Sequence, residues 1–447
     1  MIIKQYDAVC DERYLTAYGL NPEKTLYFDI ESTGLSPARS HLYLIGAAVK
    51  NPSAAEENRA EAPWTVYQYF SEAGSEEAEI LALFSRLCRN CSTLVQFNGD
   101  RFDIPYLKGR AEALGMPSPL EGMQTLDLYR EIRPLKQMLG LKKLNQKTVE
   151  DFLGIERQDR WSGGELIDVY RSYRDRRDIL SEADRNRERL SMLLLHNYED
   201  VLGMLKLTPL LSYPLLLDSM SPAAAAGLQT EVRGKDDLNV SFCLDLPVPV
   251  PVRSHVSCSP ESAAICREIS AGAAIEKTAG DCPENGTGAL RGDPSGKCPD
   301  DDNIVRHGNP CANSGQDIPF ERGREIWSVS AEGTKVRLRI PFREGTLRHF
   351  FKDYKNYYYL PEEDTALHRS VAAFVDPSHR RKASADNCYV KKQGLFLPQP
   401  AELCQPAFRD ACRDRLSWFE WEKQPSENPD LFSSYIHSLV RAAFMDK

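Results

Sequence analysis

At 447 residues the chain has room for two or three domains of roughly 150 residues each, and for at least one large core. Hydrophobic residues make up 42% and charged residues 27%, a balance that excludes a wholly disordered, collagenous or coiled-coil chain. The formal charge of −9 excludes a surface coated in positive charge but allows a local basic groove.

Met1 to Glu12 carries Lys4, Asp7, Asp11 and Glu12 without the apolar core of a secretory leader, so the expected compartment is the cytoplasm. In a reducing compartment the twelve cysteines are read as thiols. Only Cys88 and Cys91 have CxxC spacing, and no second pair completes a zinc site.

Thr25 to Ile30 reads as a buried strand, Ser40 to Val49 as its hairpin partner, and Trp64 to Phe70 as a third strand. Ile80, Leu81, Leu83, Phe84 and Leu87 recur at helical spacing within Glu76 to Cys91. Thr93 to Phe97 is a short apolar strand that ends at the turn signal Asn98-Gly99, and Ile104 to Leu114 returns to helix. The chain from there to Leu217 is mostly helical, with a Leu-rich segment from Leu190 to Leu207. The apolar run ending at Leu215 to Leu217 is broken by Ser212, Tyr213 and Pro214, short of the ~20 residues of a membrane span, so no membrane association is expected. Strands first, then mixed strand and helix, predict an α/β domain over 1–217: a mixed sheet flanked by helices.

Beyond Pro222 the character changes. Leu238, Val240, Phe242, Leu244 and Leu246 alternate with polar partners, as do Val336, Leu338, Ile340 and Phe342. Between them, residues 254–316 are rich in Gly, Pro, Ser, Asp and Asn and read as a disordered insertion. Residues 218–253 and 317–447 are therefore expected to form a smaller, β-rich α+β accessory domain. The aromatics around Tyr354, Tyr357, Tyr358 and Tyr359 read as its core ahead of a stacking platform for single strands, and the tail from Phe408 to Met445 holds two helical patterns.

The chemistry lies in the first domain. Residues two apart on a strand share a face, so Tyr27-Phe28-Asp29-Ile30-Glu31-Ser32-Thr33-Gly34 presents two carboxylates side by side. Their mutual repulsion is relieved by a divalent cation with hard oxygen ligands. Asp103 follows an apolar strand and a tight turn, next to Phe102. On the Leu-rich helix His196 and Asp200 are four apart and share a face. Four acids and one imidazole converging from distant segments would make a metal-centred hydrolytic site acting on phosphodiesters, with the imidazole orienting or deprotonating water. The structural alternative makes Asp103 a helix cap and Asp200 an exposed helix acid.

Asp29-x-Glu31, then Asn98-x-x-x-Phe102-Asp103, then Asp200 on a late helix resembles the DEDD superfamily of 3′-to-5′ exonucleases, which have a ribonuclease-H-like fold; the likeness is to its YprB-like branch. The resemblance spans the first half of the chain. It implies a ribonuclease-H-like sheet and makes Asp29, Glu31, Asp103 and Asp200 the ligands of two Mg²⁺ or Mn²⁺ ions. It also places Thr33, Asn98 and Phe102 beside the terminal nucleotide of a single-stranded 3′ end of DNA or RNA. One departure stands out. The superfamily places Tyr four residues, or His five residues, before the last Asp, whereas this chain has His196 at minus four and Leu195 at minus five. His196 is thus a substitute for the catalytic tyrosine, or the base is weakened.

Basic residues cluster from Arg130 to Lys147, with Lys142 and Lys143 the candidates for phosphate contacts. The competing class is a non-catalytic nucleic-acid-binding or scaffold protein that keeps the exonuclease fold. Four intact acids argue against it, because without metal they would repel phosphate.

Overall fold

The computed structural model describes residues 1–51, 63–136, 139–218, 229–233, 239–258, 326–421 and 428–444. Strands β1 (Ile2–Ala8), β2 (Thr25–Ser32), β3 (Leu42–Lys50), β4 (Trp64–Phe70), β5 (Thr93–Gln96) and β6 (Gln124–Asp127) form one sheet in the order β1-β4-β3-β2-β5-β6. The first four of that order pair antiparallel, and β2-β5 and β5-β6 pair parallel. The mixed sheet flanked by helices is as expected. β1 and β6 were not anticipated: both are short and rich in polar residues that face solvent, so neither carries the apolar signal of a central strand.

Helices α1 (Glu12–Ala17), α2 (Glu77–Cys88), α3 (Asp103–Ala113), α4 (Leu128–Ile132), α5 (Gln146–Phe152), α6 (Gly163–Arg176), α7 (Ala183–Leu207) and α8 (Ser212–Asp218) surround it. Strand β2 is buried on both faces. Leu26, Phe28 and Ile30 pack with Ile80, Leu81 and Phe84 of α2 and Ile104 and Leu107 of α3. The odd-numbered positions Tyr27, Asp29 and Glu31 therefore face the other layer, that of α7. α7 approaches β3 closely at Gly46, where an added Cβ would lie 2.3 Å from Asn197 Oδ1 and 2.7 Å from Val201 Cγ2.

The loop that follows Glu31 is pinned by a buried ion pair. Arg110 of α3 donates from Nε to Glu77 Oε1 of α2 at 2.7 Å and also bonds Glu77 Oε2. Glu77 further accepts from the Leu42 backbone N–H at 2.8 Å, and Arg110 reaches the Pro37 carbonyl at 2.7 Å.

In the second half, β7 (Gln229–Arg233), β8 (Asn239–Cys258) and β9 (Trp327–Pro341) form an antiparallel sheet. The β8–β9 register shifts between Asp245 and Val250 and again before Ser254, across Pro247, Pro249 and Pro251, which have no N–H to give a ladder. Ser254 to Cys258, placed by sequence in the insertion, are the end of β8; residues 259–316 lie outside the described residues. β10 (Arg343–Phe350), β11 (Tyr357–Leu360), β12 (Thr365–His368), β13 (Arg381–Lys382), β14 (Tyr389–Gln399) and β15 (Ser417–Glu420) make two further three-stranded sheets, β10-β14-β15 and β12-β11-β13.

Where two helical patterns are expected from Phe408 to Met445, the described residues hold one long helix, Pro429–Phe444, and the strand β15, which pairs with β14. The tyrosines of β11 are half-buried, with Tyr357 stacked on Phe351 at 4.6 Å and Tyr358 under Arg380 at 5.0 Å. One hydrophobic cluster runs from Leu15, Leu210 and Tyr213 to Trp327, Leu338 and Tyr435, so the two halves share a core. Among the described residues no helix is long and apolar enough to cross a membrane.

Two stability measurements check these contacts. Arg110→Ala leaves Glu77 buried without its partner and is expected to cost about 3–5 kcal/mol in denaturant unfolding. Gly46→Ala is expected to cost about 1–3 kcal/mol by overpacking; a neutral result at either position would contradict the packing described.

Candidate functional site

The strand period that buries Leu26, Phe28 and Ile30 on one face carries Asp29 and Glu31 toward α7 at the end of β2, where the β2–β3 ladder shifts register between Glu31 and Ser32. Asn197 of α7 donates from Nδ2 to Asp29 Oδ2 at 2.9 Å and accepts at Oδ1 from Gln68 Nε2 at 2.9 Å, fixing the carboxylate through two side chains. Glu31 accepts a long hydrogen bond from the Tyr43 hydroxyl at 3.4 Å.

Asp103 arrives by a different device. Asn98 adopts φ of 64°, and Gly99 packs so tightly that a Cβ there would lie 2.7 Å from Asp103 Oδ2. The turn is anchored by Asp127, whose Oδ1 accepts from the Asn98 backbone N–H at 2.7 Å. Phe102 holds the N-cap position of α3, so Asp103 is the first helical residue rather than the cap.

On α7, His196 and Asp200 lie one turn apart. His196 is 5% exposed. Its Nε2 is 3.4 Å from Glu31 Oε1 and 3.2 Å from Asp200 Oδ2, and its Nδ1 is 2.7 Å from Asp159 Oδ2. Glu31, His196 and Asp200 each offer a ligand atom within 4.8 Å of the others. The four acids and the imidazole expected from sequence thus lie around the end of β2, with Asp29 and Asp103 near enough to feel the charge of Asp200.

Burial, followed by repulsion from Asp200, Asp103 and Glu31, holds Asp29 well above the usual carboxylate range. Burial, then Asp200 and Asp103, does the same to Glu31. Burial pushes Asp103 up to about 7, with hydrogen bonds from the Asp103 and Ile30 backbone N–H groups opposing and Asp127 and Asp200 adding to the rise. This donor set, hard carboxylates crowded until they resist ionisation, fits a divalent cation, which would relieve the repulsion.

Sequence reasoning missed the layer behind the acids. Arg157 donates to Asp200 Oδ1 at 2.7 Å and to Glu150 Oε2 at 3.0 Å, and lies 3.4 Å from Asp159 Oδ2. Lys147 binds the same Asp159 oxygen at 3.0 Å. Burial raises Asp159, but its bonds to Lys147 and His196 outweigh that and hold it below its ordinary value. Arg157 and Asp159 sit in the loop between α5 and α6, where no periodicity marks them. The one signal available was their alternation of opposite charges in an otherwise polar stretch.

The expected substrate contacts are more dispersed. Thr33 is half-buried, and its hydroxyl accepts from the His41 backbone N–H at 2.9 Å. Asn98 is exposed at its turn. Phe102 is half-buried against Tyr106, with ring centroids 5.2 Å apart. Lys142 and Lys143 are exposed in the loop before α5. Trp161, 41% exposed, was not foreseen; its backbone N–H donates to Asp159 Oδ1 at 3.1 Å and its carbonyl accepts from Lys147 at 2.5 Å.

Comparison with known proteins bears on this domain. A 130-residue stretch is 33% identical to a DNA polymerase of Pyrococcus glycovorans, covering 26% of this chain and 16% of that protein; the chain thus spans about one sixth of that relative's length. Among solved structures, the family B DNA polymerase of Pyrobaculum calidifontis overlaps 56% of this chain and 36% of its own, at 16% identity and a TM-score of 0.33. The zinc-bound E. coli ExoI–ssDNA complex overlaps 38% of this chain and 45% of its own, at 12% identity and a TM-score of 0.24. Residues 26–212 match the family model RNase_H_2 of the RNase_H superfamily, so the six-stranded mixed sheet with its flanking helices is a ribonuclease-H-like domain.

Proposed function

We propose that residues 1–217 form a metal-dependent 3′-to-5′ exonuclease domain of the DEDD superfamily, of its YprB-like branch, hydrolysing phosphodiester bonds of DNA or RNA. Residues 218–253 and 317–447 are then an accessory domain. The observation that carries this reading is the convergence of Asp29, Glu31, Asp103 and Asp200 from β2, α3 and α7 into one cluster, in which burial and then the neighbouring acids raise the pKa of Asp29, Glu31 and Asp103. A fold has no stability reason to gather four acids that repel one another. The family-model match over 26–212 and the identity to part of an archaeal DNA polymerase support the same reading.

In this proposal the four acids hold two Mg²⁺ or Mn²⁺ ions. When bound, such ions polarise a phosphodiester and lower the pKa of water. The chain's own residues orient the ligands: Asn197 fixes Asp29, and Arg157 takes one oxygen of Asp200 and leaves the other facing the cluster. Lys142 and Lys143 neutralise backbone phosphates, while Thr33, Asn98 and Phe102 border the terminal nucleotide of a single-stranded 3′ end. The non-catalytic alternative draws on Arg157, a resident positive charge at Asp200 that partly replaces a metal.

Nucleotide release from 3′-recessed and single-stranded DNA and RNA, with Mg²⁺, with Mn²⁺ and with EDTA, is the direct test. Release that needs metal and is lost in Asp29→Ala is expected; wild-type release by Asp29→Ala would sink the metal assignment, and binding without release from any substrate would establish the alternative. The metal-free protein carries a second signature. A carboxyl whose folded pKa is raised binds protons more tightly in the native state, so stability falls as pH rises from about 4 to about 7. In EDTA, Asp103→Asn is expected to flatten this slope and to be the more stable protein at pH 8, by on the order of 1 kcal/mol or more. Addition of Mn²⁺ should reverse the ranking, because the ion stabilises only the form that binds it.

A further inference from the structure

We infer that His196 is itself a metal ligand through Nε2, completing a site with Glu31 and Asp200, and that this nitrogen makes the site favour Mn²⁺ and other first-row transition ions over Mg²⁺. The inference deepens the proposed metal site and does not depend on the substrate.

The imidazole is fixed before any ion arrives. Its Nδ1 faces Asp159 Oδ2 at 2.7 Å. That carboxylate is in turn held by Lys147 at 3.0 Å, by Arg157 at 3.4 Å and, at its other oxygen, by the Trp161 backbone N–H at 3.1 Å. The Asp159 backbone N–H donates to Glu199 Oε2 at 2.8 Å, tying the loop to α7 beside His196. Asp159 is thus a positioning residue: a carboxylate accepting from Nδ1–H sets the tautomer and leaves the Nε2 lone pair free, the arrangement found behind metal-bound histidines.

That lone pair points at two carboxylate oxygens, Glu31 Oε1 at 3.4 Å and Asp200 Oδ2 at 3.2 Å. Three electron-rich atoms at these separations repel unless a positive species lies among them. Arg157 is not that species, because it binds the other oxygen of Asp200, Oδ1. A cation shared by Nε2, Oε1 and Oδ2 satisfies all three; the competing arrangements are a second proton on the ring or a proton on Glu31 that faces Nε2. A side chain only 7% exposed, with one nitrogen on Asp159 and the other between two acids, is also poorly placed to serve as a solvent-facing base. Mg²⁺ favours oxygen donors and retained water, whereas imidazole nitrogen suits transition ions.

The test uses the full-length protein and Mn²⁺ alone, without nucleic acid. Pulsed EPR of the wild-type complex is expected to show coupling of Mn²⁺ to a ¹⁴N nucleus, replaced by ¹⁵N coupling after selective histidine labelling and absent in His196→Gln. By calorimetry, His196→Gln should weaken Mn²⁺ at least 10-fold and Mg²⁺ less than about 3-fold, and Asp159→Asn should weaken Mn²⁺ roughly 10- to 100-fold. Mn²⁺ bound to the wild-type protein without histidine nitrogen coupling overturns the inference whatever the variants do, and leaves the carboxylate site standing. No Mn²⁺ binding at millimolar concentration would overturn the metal site and the proposed function with it.

Discussion

The close approach of α7 to β3 is the constraint on which the site depends. At Gly46 the strand offers no side chain, and Asn197 and Val201 occupy the space a Cβ would take. At that distance a short amide spans from the helix to β2 and binds Asp29 while accepting from Gln68 on β4. His196, on the preceding residue, and Asp200, a turn later, then hang over Glu31. A helix held one side chain's thickness farther out would carry Asn197, His196 and Asp200 away from β2 and assemble no cluster.

Two kinds of buried charge coexist in the domain, and their contrast is informative. Glu77 and Arg110 are matched one to one and further satisfied by the Leu42 N–H and the Pro37 carbonyl, as a buried pair must be to hold its place. Around the end of β2, Arg157 and Lys147 serve Asp159, Glu150 and one oxygen of Asp200. Asp29, Glu31 and Asp103 have no Lys or Arg among the hydrogen bonds and ion pairs described, and all three are driven toward protonation. The first arrangement serves stability, whereas the second leaves negative charge unmatched where an external cation can enter.

Much of the site was legible because its elements obey simple periods. Asp29 and Glu31 share a face by the two-residue repeat of a strand, and His196 and Asp200 by the four-residue spacing of a helix. The Asn98-Gly99 turn marked the entry to α3. What escaped lay where no period operates: Arg157, Asp159 and Trp161 belong to a loop, and the first two take their meaning from contact with α7, some 40 positions away. Edge strands β1 and β6 escaped because polar residues fill their exposed positions, and the four-residue β15 because it is defined by its pairing with β14. Gly46 carried no signal either, since a glycine required by a neighbour's side chain looks like any other glycine in a strand.

The hydrogen bond between Asn197 and Asp29 joins residues 168 positions apart in the chain. Loop closure over such a span comes late, after local helices and the β2–β3 hairpin can already have formed. During synthesis, which proceeds from the N-terminus, β2 emerges with its acids well before α7 exists to meet them. The cluster is therefore withheld until the domain is nearly whole, and a partly made or truncated chain lacking α7 carries Asp29 and Glu31 without the partners, His196 and Asp200, that complete it.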